Sequence, residues 1–407
     1  MRILNSIQFW LVVPVFVVCF SLSCAQGGRK SGEGSKLIPI LSENLPKFTS
    51  AEECRTCHAR TFATWSQTGH AGAMVALIEL GFEKNPQCIS CHTLGYGGGG
   101  FKSITETPQF ASVQCESCHG SAINHAGRKE YIEVSFSAEV CGACHSWELS
   151  PIYQEWSESG HGSPVANLTA LPFFRDACLS CHSADYILAV NEKPTKGEVE
   201  NGVSCQVCHD PHKETGFGAQ LRFSKRELCA QCHMNHDDAP KNPNEPYPHP
   251  HQTQGNIYFG EGGYLLESVR NSFHSNEVEF PNACLDCHQA EAQINPETPH
   301  QYKTHSFAPR VPEACVRCHS GDSAISLLEQ TQNSIHRRLD ALYGYFDEES
   351  PNYIDPRDLS GQDFVNYNKA RFNFDMVRSD KSLGVHNGNY TRALLDAAEE
   401  FIASIER

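Results

Sequence analysis

The chain has 407 residues, 40% of them hydrophobic, with 32 Lys+Arg against 48 Asp+Glu and a formal charge of −16. That acid excess excludes a general nucleic-acid binder, which needs a basic face to meet phosphates. Twenty Cys and 21 His exclude an ordinary enzyme folded on a hydrophobic core alone.

The first element is an address. Arg2 is the only charge before an apolar run from Phe9 to Phe20, and Ser21-Leu22-Ser23-Cys24-Ala25 follows. A basic start, an apolar stretch broken by Pro14 and short for a bilayer, and small residues at the end read as a secretory signal over residues 1–25. An uncleaved anchor helix is the competing reading. Cleavage before Cys24 would leave a lipidated cysteine; cleavage after Ala25 would use the pair Ser23 and Ala25. Residues 26–50 begin with Gln26 to Lys36, a Gly/Ser/Lys tether of the kind that follows a lipid anchor. Either way the mature chain is expected to be exported, to the periplasm or to the outer-membrane and extracellular side.

Nine Cys-x-x-Cys-His motifs come next, where a shuffled chain of this composition would hold roughly 0.05. They are Cys54/Cys57/His58, Cys88/Cys91/His92, Cys115/Cys118/His119, Cys141/Cys144/His145, Cys178/Cys181/His182, Cys205/Cys208/His209, Cys229/Cys232/His233, Cys284/Cys287/His288 and Cys315/Cys318/His319. Of the 20 Cys only Cys19 and Cys24, both in the signal region, lie outside them. Two cysteines three apart on one helical turn can form thioethers to the two vinyl groups of a haem, and the adjacent His then lies under the iron. A disulfide framework needs no His after each second Cys. Nine zinc sites so closely spaced are hard to pack, and iron–sulfur clusters use other spacings. The expectation is nine covalently attached haem c groups, with iron, supplying much of the buried apolar surface. The fold class that follows is mainly α and loop-rich, with short helices wrapped around closely packed haems and little sheet.

The chain repeats itself. Trp65-Ser66-x-x-Gly69-His70 recurs as Trp156-Ser157-x-x-Gly160-His161, and Cys88 to Cys115 and Cys178 to Cys205 both span 27 positions. Residues 54–145 and 141–233 read as two copies of a four-haem unit that share the motif at Cys141. A third pattern sets His274 ten residues before Cys284 and His305 ten before Cys315. The chain thus divides into an N-terminal tetrahaem module over 51–150, a second module with five haems over 151–323, and a C-terminal helical segment over 324–407. Within that segment 324–345 and 388–407 read as helices, the latter with Leu394, Leu395, Ala398, Phe401 and Ile402 at helical spacing. The acidic stretch from Asp347 to Asp363 reads as a surface loop.

Twelve His stand outside the motifs, against nine irons. A second imidazole on iron fills the position a substrate would use. The nine distal candidates are His70, His125, His161, His212, His251, His274, His305, His336 and His386. His236, His249 and His300 are the bystanders, and Met74, Met234 and Met376 are alternative ligands. A Trp five residues before a His lies just over one helical turn away. Trp65 and Trp156 are therefore expected to pack on porphyrin while His70 and His161 reach haems other than their nearest in sequence; plain space-filling is the alternative.

Segment 51–145 resembles the tetrahaem cytochrome c family of ammonia oxidisers. The likeness rests on Glu53-Cys54-x-x-Cys57-His58, on Trp65 to Met74, on Cys88 to His92 with Gly95 to Phe101, and on Cys115 to Gly120. The wider group, hydroxylamine oxidoreductases and multihaem nitrite reductases, has a carboxy-terminal Gly-x-His-Asn segment like that at His386. The resemblance implies haems stacked in alternating parallel and perpendicular pairs, electron passage along the row, and room for one five-coordinate iron. Five motifs are additional to the four-haem family, and no Cys-x-x-Cys-Lys site of the reductases is present.

Function is then expected to be electron transfer across the periplasm or cell surface, between a membrane quinol-side donor and a further cytochrome or terminal acceptor. The alternatives are a multihaem oxidoreductase acting on small nitrogen or sulfur compounds at one open haem, and a structural subunit. The negative charge favours a basic redox partner. Anchoring by lipid at Cys24 and a homo-oligomer or filament are compatible with the chain; nucleic acid is not.

Overall fold

Each Cys-x-x-Cys-His motif is long enough for one helical turn, and that turn is what forms. The amide of the closing His donates to the carbonyl of the first Cys in His58→Cys54, His209→Cys205, His233→Cys229, His288→Cys284 and His319→Cys315, at 2.8 to 3.0 Å. Pro86–His92, Cys115–His119 and Glu139–His145 are short helices around three of the others. The computed structural model describes residues 47–146, 151–235, 249–289, 291–293 and 301–405. All belong to one compact unit, Pro46–Arg407. The signal with Cys24, most of the tether, His236 and His300 lie outside the described residues. Among the described residues the sheet is a single antiparallel pair, Glu291–Gln293 with Gln301–Lys303.

Three long helices close the chain: Gly321–Tyr343, Gly361–Asp380 and Gly388–Ala403. The first and third are anticipated by their apolar spacing. Gly361–Asp380 is not, because it has no apolar stripe: Asn366, Asn368, Asn373 and Asp375 are buried beside Phe372, Phe374, Met376 and Val377. A helix buried nearly all round loses the one-sided signature that marks a surface helix. Its polar groups are paired within the fold. Asn373, fully buried, accepts from Tyr264 N at 2.9 Å and donates to the carbonyls of Tyr264 and Leu394 at 2.7 and 3.1 Å. The Asp347–Asp363 stretch is loop as far as Ser360, with one short turn at Pro356–Asp358.

The main apolar cluster joins these helices through Ile335, Leu342, Phe374, Leu394 and Leu395. A smaller one surrounds the second motif: Met74, Leu77, Ile89, Leu94, Phe101 and Phe110. Met74 and Met376 are packed inside these clusters.

Candidate haem sites

None of the 18 motif cysteines is paired in a disulfide. Their histidines meet in pairs across the chain. Ring centroids lie 6.4 Å apart in His58/His125, 6.3 Å in His70/His145 and 5.9 Å in His119/His212. They are 5.9 Å apart in His161/His233, 6.3 Å in His182/His251 and 6.3 Å in His209/His305. His274/His319 and His288/His386 complete the set at 6.4 and 6.0 Å. Each pair joins one motif histidine to one distal candidate.

The separation fits an iron. Two metal–imidazole bonds of about 2 Å, plus about 1.1 Å from each ring centre to its nitrogen, put two axial imidazoles about 6.2 Å apart. Burial lowers the pKa of His70, His145, His182, His209, His212, His233, His288 and His305. Burial, with the charges of His233 and His182, takes His161 down to about 4. These rings are neutral at pH 7, the form that ligates a metal.

Several rings are oriented through the other nitrogen. Nδ1 of His92, His119, His209 and His288 lies 2.6 to 3.0 Å from the carbonyls of Ala73, Glu133, Ala219 and Phe307. A carbonyl can only accept, so Nδ1 carries the proton and Nε2 keeps its lone pair for the metal. On the distal side His125, His274 and His305 donate likewise to Arg128, Val385 and Lys303 at 2.8 to 3.1 Å. His386 differs: its Nδ1 lies 2.5 Å from a carboxylate, Oδ1 of Asp380. Burial pulls the His386 pKa down, but the hydrogen bond and charge of Asp380 outweigh it and the net shift is upward.

Two histidine expectations are not met in this way. His336 meets no motif histidine among the described residues; it is exposed on the 321–343 helix, 3.7 Å from Asp340 one turn on. His92 faces no second imidazole among the described residues. Of the bystanders, His249 hydrogen-bonds Asp375 at 2.7 Å. The helical link from each Trp to its His is also absent. The helix ends at Trp65 before His70, and at Glu158 before His161, where Ser159 is extended and its hydroxyl caps the following turn. Trp156 donates Nε1–H to Val203 O at 3.0 Å. His70 and His161 nevertheless meet motif histidines three motifs further on than His58 and His145, in both repeats.

Neighbouring motifs touch through their cysteines. Cys54 lies beside Cys115, Cys141 beside Cys205, Cys91 beside Cys144, Cys181 beside Cys232 and Cys229 beside Cys284. Cys118/Cys141, Cys208/Cys229 and Cys287/Cys315 interact electrostatically. The duplication read in the sequence reappears as adjacency: Cys54/Cys115 corresponds to Cys141/Cys205, Cys91/Cys144 to Cys181/Cys232, and Cys118/Cys141 to Cys208/Cys229. No sequence signal pointed to these contacts, since each sulfur is already accounted for by its own motif.

Cys318 departs from this close packing. Its partner in the motif, Cys315, is half-buried and interacts with Cys287, whereas Cys318 is exposed. Its amide still donates to Cys315 O at 3.1 Å, so the motif turn itself is formed. Cys57, the second cysteine of the first motif, is exposed at the opposite end. Cys118 and Cys144 are exposed as well, but each interacts with a cysteine of a neighbouring motif.

A mainly helical, loop-rich chain with repeated Cys-x-x-Cys-His turns whose histidines pair at iron spacing is a multihaem cytochrome c. Residues 53–120 match the family model of cytochrome c554 and c-prime, and residues 170–234 that of cytochrome c7 and related cytochrome c. Cytochrome c-554 of Nitrosomonas europaea is 29% identical over 34% of this chain and 72% of its own length. The multiheme cytochrome MtrA of Shewanella baltica is 23% identical over 51% of this chain and 56% of its own. Two solved structures share the fold. Outer cell wall cytochrome OcwA has a TM-score of 0.67 at 21% identity, over 88% of this chain and 100% of that one. The undecaheme cytochrome from the S-layer of Carboxydothermus ferrireducens has a TM-score of 0.63 at 19% identity, over 89% of this chain and 70% of its own. The chain is thus related to the cytochrome c554 family and carries covalently attached haem c, with iron.

Proposed function

We propose that the chain is a nine-haem electron-transfer protein working outside the cytoplasmic membrane. One observation carries the reading: eight of the nine motif histidines face a second imidazole across a gap one iron wide. Each Cys pair would hold a haem by its vinyl groups, with the motif His below the iron and the paired His above. The bound haems supply one-electron chemistry. Carbonyls orient His119, His125, His209, His274, His288 and His305 through Nδ1, and two such imidazoles on one iron would leave it no open position.

Motif adjacency supports a route. The first, third, fourth, sixth, seventh, eighth and ninth motifs form an unbroken row, with the second attached at the fourth and the fifth at the seventh. The first and ninth motifs are its two ends, where an electron could enter or leave. The leader over residues 1–25 supports export, with Cys24 as a lipid attachment point. OcwA and the S-layer cytochrome are named for the outer cell wall and the S-layer. No helix among the described residues is long and apolar enough to cross a membrane. The charge of −16 suits a basic redox partner, receiving from a quinol-side donor or delivering to a further cytochrome or terminal acceptor. EPR and visible spectra of the purified protein test the reading: low-spin ferric signals should dominate, and mostly high-spin iron overturns it.

A second reading is favoured by His92, which faces no second imidazole among the described residues while the apolar cluster of Met74, Leu94 and Phe101 lies at its motif. That haem would keep an open position for a small nitrogen or sulfur compound. Nitrite, hydroxylamine or cyanide should then perturb one haem spectrum and no other; a spectrum unmoved by all three removes the oxidoreductase reading.

A further inference from the structure

Seven of the paired rings have a hydrogen-bond partner at Nδ1, and six of those partners are backbone carbonyls. Where His119, His125, His209, His274, His288 and His305 donate Nδ1–H to carbonyls, His386 donates to the Asp380 carboxylate at 2.5 Å. Asp380 ends the Gly361–Asp380 helix, is 2% exposed, and makes no ion pair with a lysine or arginine among the described residues. Its second oxygen takes the Ser382 hydroxyl and, at 3.3 Å, the Ser382 amide. The negative charge therefore sits one imidazole away from the iron that His288 and His386 would share, with no competing cation.

We propose that Asp380 is a positioning residue that lowers the reduction potential of the haem at the Cys284–His288 motif. This rests on the electron-transfer reading and on His386 as that haem's distal ligand. Reduction takes one electron from a neighbouring haem and changes ferric to ferrous iron, while the Nδ1 proton stays between His386 and Asp380. The oxidised site carries one more positive charge, so a buried carboxylate favours it, and the charge-assisted bond makes the ring a stronger donor to ferric iron. The motif lies between its neighbours: Cys284 lies beside Cys229, and Cys287 interacts with Cys315. An electron passing from the seventh motif to the ninth must then cross a haem harder to reduce than it would be with a carbonyl anchor.

The test is a potentiometric titration of the full haem-loaded chain followed by EPR. Asp380→Asn keeps an oxygen to accept Nδ1–H but removes the charge. The low-spin count should hold, one component should change its g-values, and its reduction equilibrium should shift about tenfold toward ferrous, the scale separating the net worth of charged and neutral hydrogen bonds. Potentials that superpose on the wild type overturn the proposal. So does a new high-spin haem in Asp380→Asn, which would make Asp380 a scaffold for the ring and nothing more. Ser382→Ala strips a donor from the carboxylate and should move the same component the opposite way; if Asp380→Asn does not accumulate with its haems, an unmoved titration in Ser382→Ala overturns the proposal by itself. The underlying reading is checked separately by His386→Ala: an unchanged spin count there rejects the ligand assignment, whatever the potentials do.

Discussion

His274 Nδ1 lies 3.1 Å from the carbonyl oxygen of Val385, the residue immediately before His386. One loop after the Gly361–Asp380 helix thus orients two distal rings, His386 itself against His288 and His274 against His319. Asn387 pins the loop, accepting from Ser272 N at 2.9 Å and from Tyr390 N at 3.3 Å and so capping the last helix. Coupling of two sites through one loop has direct consequences for substitution.

Gly384 stands in this loop at φ +93°, and a Cβ there would lie 3.1 Å from Ile335 Cγ1 and 3.3 Å from Thr331 Cγ2. An L side chain at such a φ costs about 1–2 kcal/mol before any crowding. Gly384→Ala should shift the loop and weaken both distal ligands together. Low-spin EPR intensity should fall at two haems; loss at one alone would show that Val385 does not couple them.

His161→Ala removes the ring paired with His233. One haem should turn high-spin and the other eight spectra should stay nearly unchanged. His336→Ala, whose ring faces Asp340, should leave the spin count untouched. Should His161→Ala change nothing at neutral pH, the repeat correspondence between His70 and His161 loses its support.

Asn373→Ala removes the acceptor of the Tyr264 amide and the donor to the Tyr264 carbonyl in a fully buried setting, while the Leu394 carbonyl keeps its bond within the last helix. Unsatisfied buried polar groups cost about 1–3 kcal/mol, so the loss should be about 2–4 kcal/mol, measured as a lowered denaturation midpoint of the haem-loaded protein. Axial ligation should persist in the folded fraction, since Asn373 touches no paired histidine.

Glu116 supplies the pH test. Burial raises its pKa above the ordinary 4.5, against backbone hydrogen bonds from Ala122 and Thr49 that lower it. The folded chain then holds a proton that the unfolded chain has released, so this group's contribution to stability falls as pH rises from 4.5 through the folded value. Glu116→Gln retains an acceptor for the Thr49 and Ala122 amides and offers an amide where Oε2 has no partner among the described residues. Denaturation midpoints should move in the variant's favour as pH is raised from about 4 to 7; a constant difference across that range would reject the burial argument.

The motifs proposed to hold haem are local in sequence, and so they are legible from the sequence by itself. Cys-x-x-Cys-His needs only five residues and one backbone turn, and nothing distant alters it. The repeat and the last helix are legible for the same reason, as spacings within one stretch of chain. Which ring opposes which is another matter. His125 follows the third motif yet meets His58 of the first, and His212 follows the sixth yet meets His119 of the third. Such pairings depend on how motifs far apart in the chain stack, and no local period encodes them. The same holds for which sulfurs are covered: Cys315 and Cys318 belong to one turn, yet Cys315 is half-buried beside Cys287 while Cys318 is exposed. The Gly361–Asp380 helix was hidden because its asparagines are satisfied only by partners such as Tyr264 and Leu394 that folding brings to it. His336 and His92 mark the same boundary. One is a histidine of the right type on the wrong face of a helix, the other a motif histidine that tertiary packing leaves without a described partner.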